Sequence, residues 1–414
     1  MELNPIEKNV SNHLINCLLP LTVALQLSKE SRGLSLLGFL AWIVLQLSSK
    51  IRSLIVNGAT RETWLSWTLM LGLILFNARN IVMRDNYRGS IILLLIGTGL
   101  LLGSQFNQKQ WRHLLIWLSI SIIPFALFFG IQLGMLGDWS FSSFYKTYYE
   151  LTHPSMGSIN RLATLTTFLT LAAWYSSTLA NKIWSKIIYL LLAGIGYWIT
   201  LGTDSRMAIS AIPVAIALPW LGLRLSHRLT RKQWLFSLLT TVSLFAFAAW
   251  ELTIKAEPQS DVGRLRMANC WIRQGMLSSW ERLWFGSGFD TSRIREACHY
   301  IRPNQSFGHA HNTIAQIAGN HGFLGLIGLI AFTALIMHGL WRQLQPQQHQ
   351  LEWSPWSSTN WAEISLGFNL ALLFCALSTT VQEFSPVNQL LIGLVAGSAC
   401  IALPPENRYR VPED

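Results

Sequence analysis

Three arginines in polar segments between apolar runs are the first residues of this chain whose type suits chemistry on an anion. Arg206 ends the polar turn Thr203-Asp204-Ser205-Arg206 between two hydrophobic runs, and Arg264 and Arg266 occur together in a longer polar stretch. A guanidinium group binds phosphate oxygens in a bidentate manner, and an arginine at membrane depth is costly unless it is paired or lines a polar cavity. The pattern predicts an anion clamp, with an ion pair between Asp204 and Arg206 as the alternative.

The apolar spacing after Arg264 predicts a helix that runs to about Trp280 and is capped by Ser260 or Asp261. In this register Arg264 and Arg266 lie in the first turn. A cation there is unfavourable against the helix dipole, and an anion bound among the arginines would reverse that cost. The alternative for Arg266 is a solvated surface residue.

A histidine pair, His309 and His311, precedes Asn312 and the apolar run from Thr313 to Ile330. One neutral imidazole at the mouth of such a helix suits a general base. A zinc site that includes His321 is the second interpretation. We reject it because spacings of two and then ten residues do not place three ligands on one face. The third interpretation is a capping or packing histidine.

Membrane helices must position these residues. The chain has 414 residues, of which 51% are hydrophobic and 12% charged, roughly half the charge of a soluble domain. A span needs roughly 20 mostly apolar residues. We therefore predict an all-α integral membrane protein with about 12 transmembrane helices. These spans begin near Leu14, Leu34, Trp64, Ser90, Leu114, Leu162, Ile187, Met207, Leu235, Thr313, Ile364 and Leu390.

Lysine and arginine residues in the loops indicate the orientation of the spans. The cluster RLSHRLTRK at residues 224–232 favours a cytoplasmic loop, so the polar stretch that follows one span later lies on the outer side of the membrane. The net charge of +11 does not indicate nucleic acid, because it is distributed over these loops. The predicted regions are N-terminal helices with short loops (1–253, with an amphipathic segment near 138–160), a large periplasmic loop (254–310), C-terminal helices (311–403) and a cytoplasmic tail (404–414).

Two of the five cysteines, Cys270 and Cys298, fall in the periplasmic loop. In an oxidising compartment they could close that loop by a disulfide, and two unpaired buried thiols are the equal alternative. Cys17, Cys375 and Cys400 lie in apolar runs and are predicted to be packing residues.

The amphipathic segment carries five aromatic residues at helical spacing. The pattern is typical of a helix that lies in the headgroup layer. The alternative is that the rings help to seat a lipid or a sugar. The five are Phe141, Phe144, Tyr145, Tyr148 and Tyr149.

The stretch His311-Asn312, nine residues, Gly322-Phe323-Leu324-Gly325 resembles the signature of the O-antigen ligases. Residues 203–206 resemble the Thr-x-Ser-Arg segment that this family has at the end of a span. Gly263-Arg264 resembles the Gly-Arg that opens its large periplasmic loop. Residues 284–289 resemble its Gly-x-Gly turn without the preceding proline, and Asn160-Arg161 is similar to an Asn of the preceding periplasmic segment. O-antigen polymerases share this region.

The resemblance implies a membrane glycosyltransferase whose donor is a polysaccharide on undecaprenyl pyrophosphate. A ligase transfers it to a sugar hydroxyl of lipid A–core, and a polymerase transfers it to another lipid-linked unit. His311 would be the general base, and Arg206 and Arg264 would stabilise the pyrophosphate as it leaves. The reaction would invert the anomeric centre without a metal or another cofactor. The further substrate-binding candidates are Asn160, Arg161, Arg266, His309 and Asn312.

A transporter or flippase for lipid-linked sugars is the alternative from another class. Such a protein should carry charged residues within its spans and broken helices in related halves. The notable charges of this chain gather instead on one predicted face. This distribution favours chemistry at a membrane surface.

Overall fold

A computed structural model describes ten parts of the chain and some residues near the N-terminus. The ten parts are residues 87–106, 108–148, 150, 159–226, 258–288, 292–301, 310, 312–344, 361–378 and 386–399. The other described residues are 18, 20–22, 24–25, 34, 37–38 and 40–46.

All regular elements within those ranges are helical. The first seven are α1 (Tyr87–Gln105), α2 (Gln108–Ile120), α3 (Ile122–Leu136), α4 (Phe141–Thr147), α5 (Ile159–Leu179), α6 (Ile183–Gly202) and α7 (Arg206–Ser226). The others are α8 (Pro258–Gly275), α9 (Trp280–Phe285), α10 (Ser292–Cys298), a 3₁₀ turn (His299–Ile301), α11 (Thr313–Leu344), α12 (Trp361–Ser378) and α13 (Pro386–Ser398). The predicted helical architecture is confirmed for the described residues.

Three helical stretches among the described residues are long and apolar enough to cross a membrane. They are Gln108–Leu136, which joins α2 and α3, Ile183–Gly202 and Thr313–Leu340. Shorter apolar helices lie in α1, α7, α12 and α13. The predicted spans near Trp64 and Leu235 lie outside the described residues, and those near Leu14 and Leu34 are described only in part. The total of twelve spans therefore stays a prediction.

Hydrogen bonds show that α5 and α7 begin at the same end of the bundle. Thr200 Oγ1, near the last residue of α6, donates to Thr166 Oγ1 near the start of α5 at 2.9 Å. Thr167 Oγ1 donates to the carbonyl of Ala208 in the first turn of α7 at 3.5 Å. The helices α5, α6 and α7 therefore run up, down and up.

The C-terminal helices share these directions. Tyr175, in the second half of α5, donates its hydroxyl to the Ala215 carbonyl at 3.0 Å and lies 3.4 Å from the Glu363 carbonyl at the start of α12. Asn388 Nδ2, in the first turn of α13, donates to the carbonyl of Arg161 at the start of α5. Thus α12 runs antiparallel to α5, and α13 begins where α5 begins. The segment between α11 and α12 is too polar to cross a membrane, so α11 ends at the end of the bundle where α12 begins. We therefore infer that α11 begins at the opposite end, together with α5, α7 and α13. We call that end the domain end.

The helices α1 and α13 pack along two Gly-xxx-Gly sequences. Gly99 and Gly103 of α1 face Gly393 and Gly397 of α13, and the two backbones meet without side chains between them. Small residues at such spacing let helices approach closely in lipid. This contact connects an early helix of the chain to the last described one.

We expect Gly393→Ala to destabilise the protein. The new methyl group would clash with the Ile96 carbonyl oxygen and would lie 2.9 Å from the Gly99 Cα, so α1 and α13 must separate. Overpacking of this kind typically costs about 1–3 kcal/mol. Thermal unfolding in detergent should show the loss. Gly130→Ala is the matched control, since nothing lies within 4 Å of that position, and an equal loss in both variants would contradict the prediction.

Candidate active site

The described residues between 258 and 301 form a small helical unit, which we call the outer domain after its predicted position outside the membrane. A disulfide joins Cys270 of α8 to Cys298 at the end of α10, with the two Cα atoms 6.0 Å apart. Trp271 and Ile294 are buried beside it in the same apolar cluster. Of the two alternatives that the sequence left open, the structure contains the disulfide.

Removal of this disulfide is expected to loosen the outer domain. The bond closes a loop with a sequence separation of 28 residues. The loss of a constraint on such a loop corresponds to about 3.6 kcal/mol by chain entropy. Cys298→Ser should therefore speed proteolysis within residues 258–301 and lower the unfolding temperature. A reductant should do the same to the unchanged protein and should have no such effect on a variant with Cys270→Ala and Cys298→Ala.

The helix α8 begins at Pro258, earlier than the predicted start at Arg264. Proline suits the first helical position because its φ is preset and its missing N–H has no partner to lose there. Ser260 and Asp261 consequently lie inside the helix and do not cap it. Arg264 falls in the second turn and Arg266 in the third. The argument from the helix dipole does not hold for them, because the dipole acts mainly within the first turn.

Arg266 is exposed on α8. For Arg264 the structure describes the backbone alone. Its candidate role as an anion clamp therefore stays a prediction from guanidinium chemistry and from the family resemblance.

The helix α11 is broken at Gly322, which has a φ of 62° and a ψ of −153°. A helix break leaves the carbonyl groups of the preceding turn in need of donors. The Ser287 and Gly288 amides donate to the carbonyls of Gly319 and Asn320 at 2.9 and 2.7 Å. The Gly-Ser-Gly turn of the outer domain is thus docked on the break in α11.

The backbones approach too closely at this contact for side chains on either side. A Cβ on Gly322 would lie 2.7 Å from both the Leu283 carbonyl oxygen and the Gly286 amide nitrogen. Gly286 also has a positive φ, of 67°, and a Cβ there would clash with the backbone of Asn320. The glycine of the signature and the Gly-x-Gly turn are therefore two halves of one contact.

Gly322 and Gly325, the two glycines of the signature, have different roles in the structure. Gly322 is the site of the break. At Gly325, a Cβ would meet His321 and Ile317, which belong to α11 itself. The sequence does not distinguish these roles, because a glycine in an apolar run is compatible with both.

Three amide side chains at four-residue spacing connect α11 to its surroundings. Asn312 caps the helix, since its Oδ1 accepts a hydrogen bond from the amide three residues later at 3.0 Å. Gln316 Oε1 accepts from the Ala310 amide at 2.6 Å, and Asn320 Oδ1 accepts from Trp271 Nε1 of the outer domain at 3.1 Å. Gln316 and Asn320 are buried. Neither residue was among the predicted site residues, although amides at every fourth position of an apolar helix can be recognised in a sequence.

Arg206 is exposed at the first residue of α7, at the domain end. Asp204 is also exposed and has a positive φ of 50° in the turn that precedes α7. Among the described residues no ion pair joins the two side chains. The structure therefore lends no support to the pairing alternative.

Asn160 and Arg161 lie in the first turn of α5, at the same end, and both are partly exposed. The Arg161 carbonyl accepts the hydrogen bond from Asn388 at 3.0 Å, so the start of α5 is held to the start of α13. The structure thus brings Asn160, Arg161 and Arg206 to the same end of the bundle.

The predicted amphipathic segment contains α4, which begins after the capping residue Ser140. Phe144 and Tyr148 are buried, and Phe144 stacks on Phe129 with ring centroids 4.3 Å apart. These two rings are core residues of the bundle.

Hydrogen bonds from Ser143 and then Ser140 lower the pKa of the Asp138 carboxyl group. These hydrogen bonds stabilise the charged form of the Asp138 carboxylate.

His309 and His311 lie outside the described residues, and the structure describes their neighbours. The amide of Ala310 is bound by Gln316, and Asn312 caps α11. The candidate general base is thus adjacent in sequence to two positions with defined hydrogen bonds at the start of α11.

Comparison with known families gives an independent result. Residues 188–330 match the model of a family described as O-antigen ligase. This part of the chain is similar to the O-antigen ligases. No curated protein matches the chain.

The matched region extends from α6 to just beyond the break in α11. It contains Arg206, the outer domain and the signature from His311 to Gly325. Asn160 and Arg161 precede it, and α12 and α13 follow it. Members of this family are membrane enzymes of the glycosyltransferase type, and the family implies a lipid-linked polysaccharide donor and a glycan acceptor.

Proposed function

We propose that this protein is an O-antigen ligase of a bacterial inner membrane. It transfers a polysaccharide from undecaprenyl pyrophosphate to a sugar hydroxyl of lipid A–core at the periplasmic face. The match of residues 188–330 to the O-antigen ligase family is the observation that carries the proposal.

The proposed reaction is a direct displacement at the anomeric carbon. The acceptor hydroxyl oxygen attacks this carbon as the bond to the phosphate oxygen breaks, and undecaprenyl pyrophosphate leaves with the electron pair. His311 takes the proton of the hydroxyl, and the anomeric centre inverts. Pyrophosphate is a good leaving group, so the step needs no strong general acid.

The negative charge that develops on the leaving group needs cations in fixed positions. We assign this task to Arg206 and Arg264, with Arg161 or Arg266 assisting. The exposed position of Arg206 at the domain end, without an ion pair to Asp204, supports this assignment. Asn160, His309 and Asn312 are proposed to bind the substrates, and the scheme requires no metal ion.

The disulfide in the outer domain supports the periplasmic orientation. Such bonds persist in oxidising compartments and are rare in the bacterial cytoplasm. The basic cluster at residues 224–232 favours the same orientation, because it precedes the outer domain by one predicted span.

Reconstitution of the purified protein with a lipid-linked glycan tests the proposal. A ligase should transfer the glycan onto lipid A–core, without added metal and in the presence of a chelator. Growth of a glycan ladder in the absence of core would instead identify a polymerase. Movement of the lipid-linked glycan across the bilayer without any product would identify a flippase.

Arg264→Lys is expected to reduce the transfer rate by roughly 10- to 100-fold, because an ammonium group cannot reproduce the bidentate contact with phosphate. The rate should be measured at saturating acceptor with lipid-linked donor in nanodiscs. Arg273→Lys, an exposed arginine on the same helix, is the control and should keep the normal rate. A normal rate in Arg264→Lys would remove this residue from the mechanism.

A further inference from the structure

The short helix α9 exposes its aromatic residues. Trp280 is 73% exposed, and Trp284 and Phe285 are exposed beside it. Leu277, in the turn that precedes α9, is also exposed. No residue of α9 is buried. A domain that only needed to fold in water would turn such side chains toward its core.

One charged side chain of α9, that of Arg282, faces the rest of the outer domain. Arg282 Nη1 donates to the Gln274 carbonyl at the end of α8 and to the Ser278 hydroxyl, both at 3.1 Å. Arg282 is thus directed to the rest of the outer domain, whereas Trp280 is directed away from it. A surface helix in a water-soluble domain turns its apolar residues toward the core instead.

The aromatic face of α9 continues onto α11. The rings of Trp280 and Trp284 lie 6.1 Å apart, and those of Trp284 and Phe323 lie 5.5 Å apart, each pair edge to face. Beyond Phe323, the residues Ile327 and Ile330 are exposed along α11, on a stretch long and apolar enough to cross a membrane. A continuous apolar surface therefore extends from a membrane span to the outer domain.

We propose that α9 is an interfacial anchor, which inserts the face formed by Leu277, Trp280 and Trp284 into the adjacent leaflet of the bilayer. Tryptophan and phenylalanine favour the boundary between headgroups and acyl chains, and short amphipathic helices bind there in the membrane plane. The occupant of this face is lipid because the face is continuous with the exposed face of a span. The anchor holds the outer domain, and with it the Gly-Ser-Gly turn docked on α11, at the membrane surface. The anchoring role of α9 does not depend on which reaction the candidate active site catalyses.

Fluorophore labels on the full chain test this proposal. Cys17, Cys375 and Cys400 are replaced by alanine and the disulfide is kept, as verified by mass spectrometry. Trp280→Cys and Leu277→Cys then each accept one environment-sensitive label. Tyr300→Cys is the matched control, because Tyr300 belongs to the same domain and is also 73% exposed but lies outside the row of rings. The proteins are placed in nanodiscs of phosphatidylethanolamine and phosphatidylglycerol.

We expect shallow doxyl-labelled lipids to quench the labels at positions 277 and 280 at least about threefold more strongly than the label at position 300. Aqueous iodide should show the opposite order. Equal quenching by iodide at the three positions would overturn the proposal. Protection of positions 277 and 280 from both quenchers would also overturn it, because a protein surface, such as a second copy of the chain, would then cover the face. Position 277 decides the outcome if Trp280→Cys fails to fold.

Discussion

Replacement of His311 by alanine is expected to abolish glycan transfer and to leave donor binding nearly unchanged. General base catalysis contributes about 10²- to 10⁴-fold to a rate, and the acceptor hydroxyl is a weak nucleophile while its proton remains. Binding of the donor depends on the contacts of the arginines with pyrophosphate and not on the imidazole. The rate of transfer and the dissociation constant of the lipid-linked donor should be measured on the same preparation.

His299→Ala is the control for this experiment. His299 is an exposed histidine of the outer domain and has no part in the proposed mechanism, so its variant should keep the full rate. A His311→Ala protein that transfers glycan normally would remove the general base from the scheme. A flippase would show the same indifference, so this result would also favour the transporter alternative.

Gly322→Ala is expected to undock the outer domain and to abolish transfer as a consequence. The backbone at Gly322 has a combination of φ and ψ that is essentially restricted to glycine and costs another residue about 1–3 kcal/mol. The new methyl group would also lie 2.7 Å from backbone atoms of Leu283 and Gly286, so the end of α9 must move. The hydrogen bonds of Ser287 and Gly288 to α11 would then be lost. Hydrogen exchange in residues 280–288 should increase strongly, as should proteolysis of the outer domain.

Gly328→Ala provides a matched control on the same helix. Nothing lies within 4 Å of a Cβ at that position, and alanine is the better helix former by roughly 1 kcal/mol. This variant should therefore show normal exchange and normal transfer. If the two alanine variants behaved alike, the contact between the Gly-Ser-Gly turn and the break in α11 would not be what holds the outer domain.

The sequence alone predicted the class of the protein and the part of the chain that carries its function. Long apolar runs cannot remain in water, so their number and length indicate a helical membrane protein. The signature from His311 to Gly325 and the Thr-x-Ser-Arg turn indicated the O-antigen ligases, and the family match over residues 188–330 confirms this recognition. Both kinds of signal are local in sequence, since a span and a motif can be read without knowledge of distant contacts.

The roles of particular residues in the structure depended on contacts between distant segments. Pairing of Cys270 with Cys298 requires α8 and α10 to pack side by side, a distance that no spacing encodes. The burial of Phe144 follows from the neighbouring helices and not from its position on α4. The two glycine motifs, 36 residues apart between Gly286 and Gly322, are readable separately, but only the fold shows that each requires the other. Sequence periodicity indicates which face of a helix is apolar. Which other helix packs against that face is decided only by the tertiary structure.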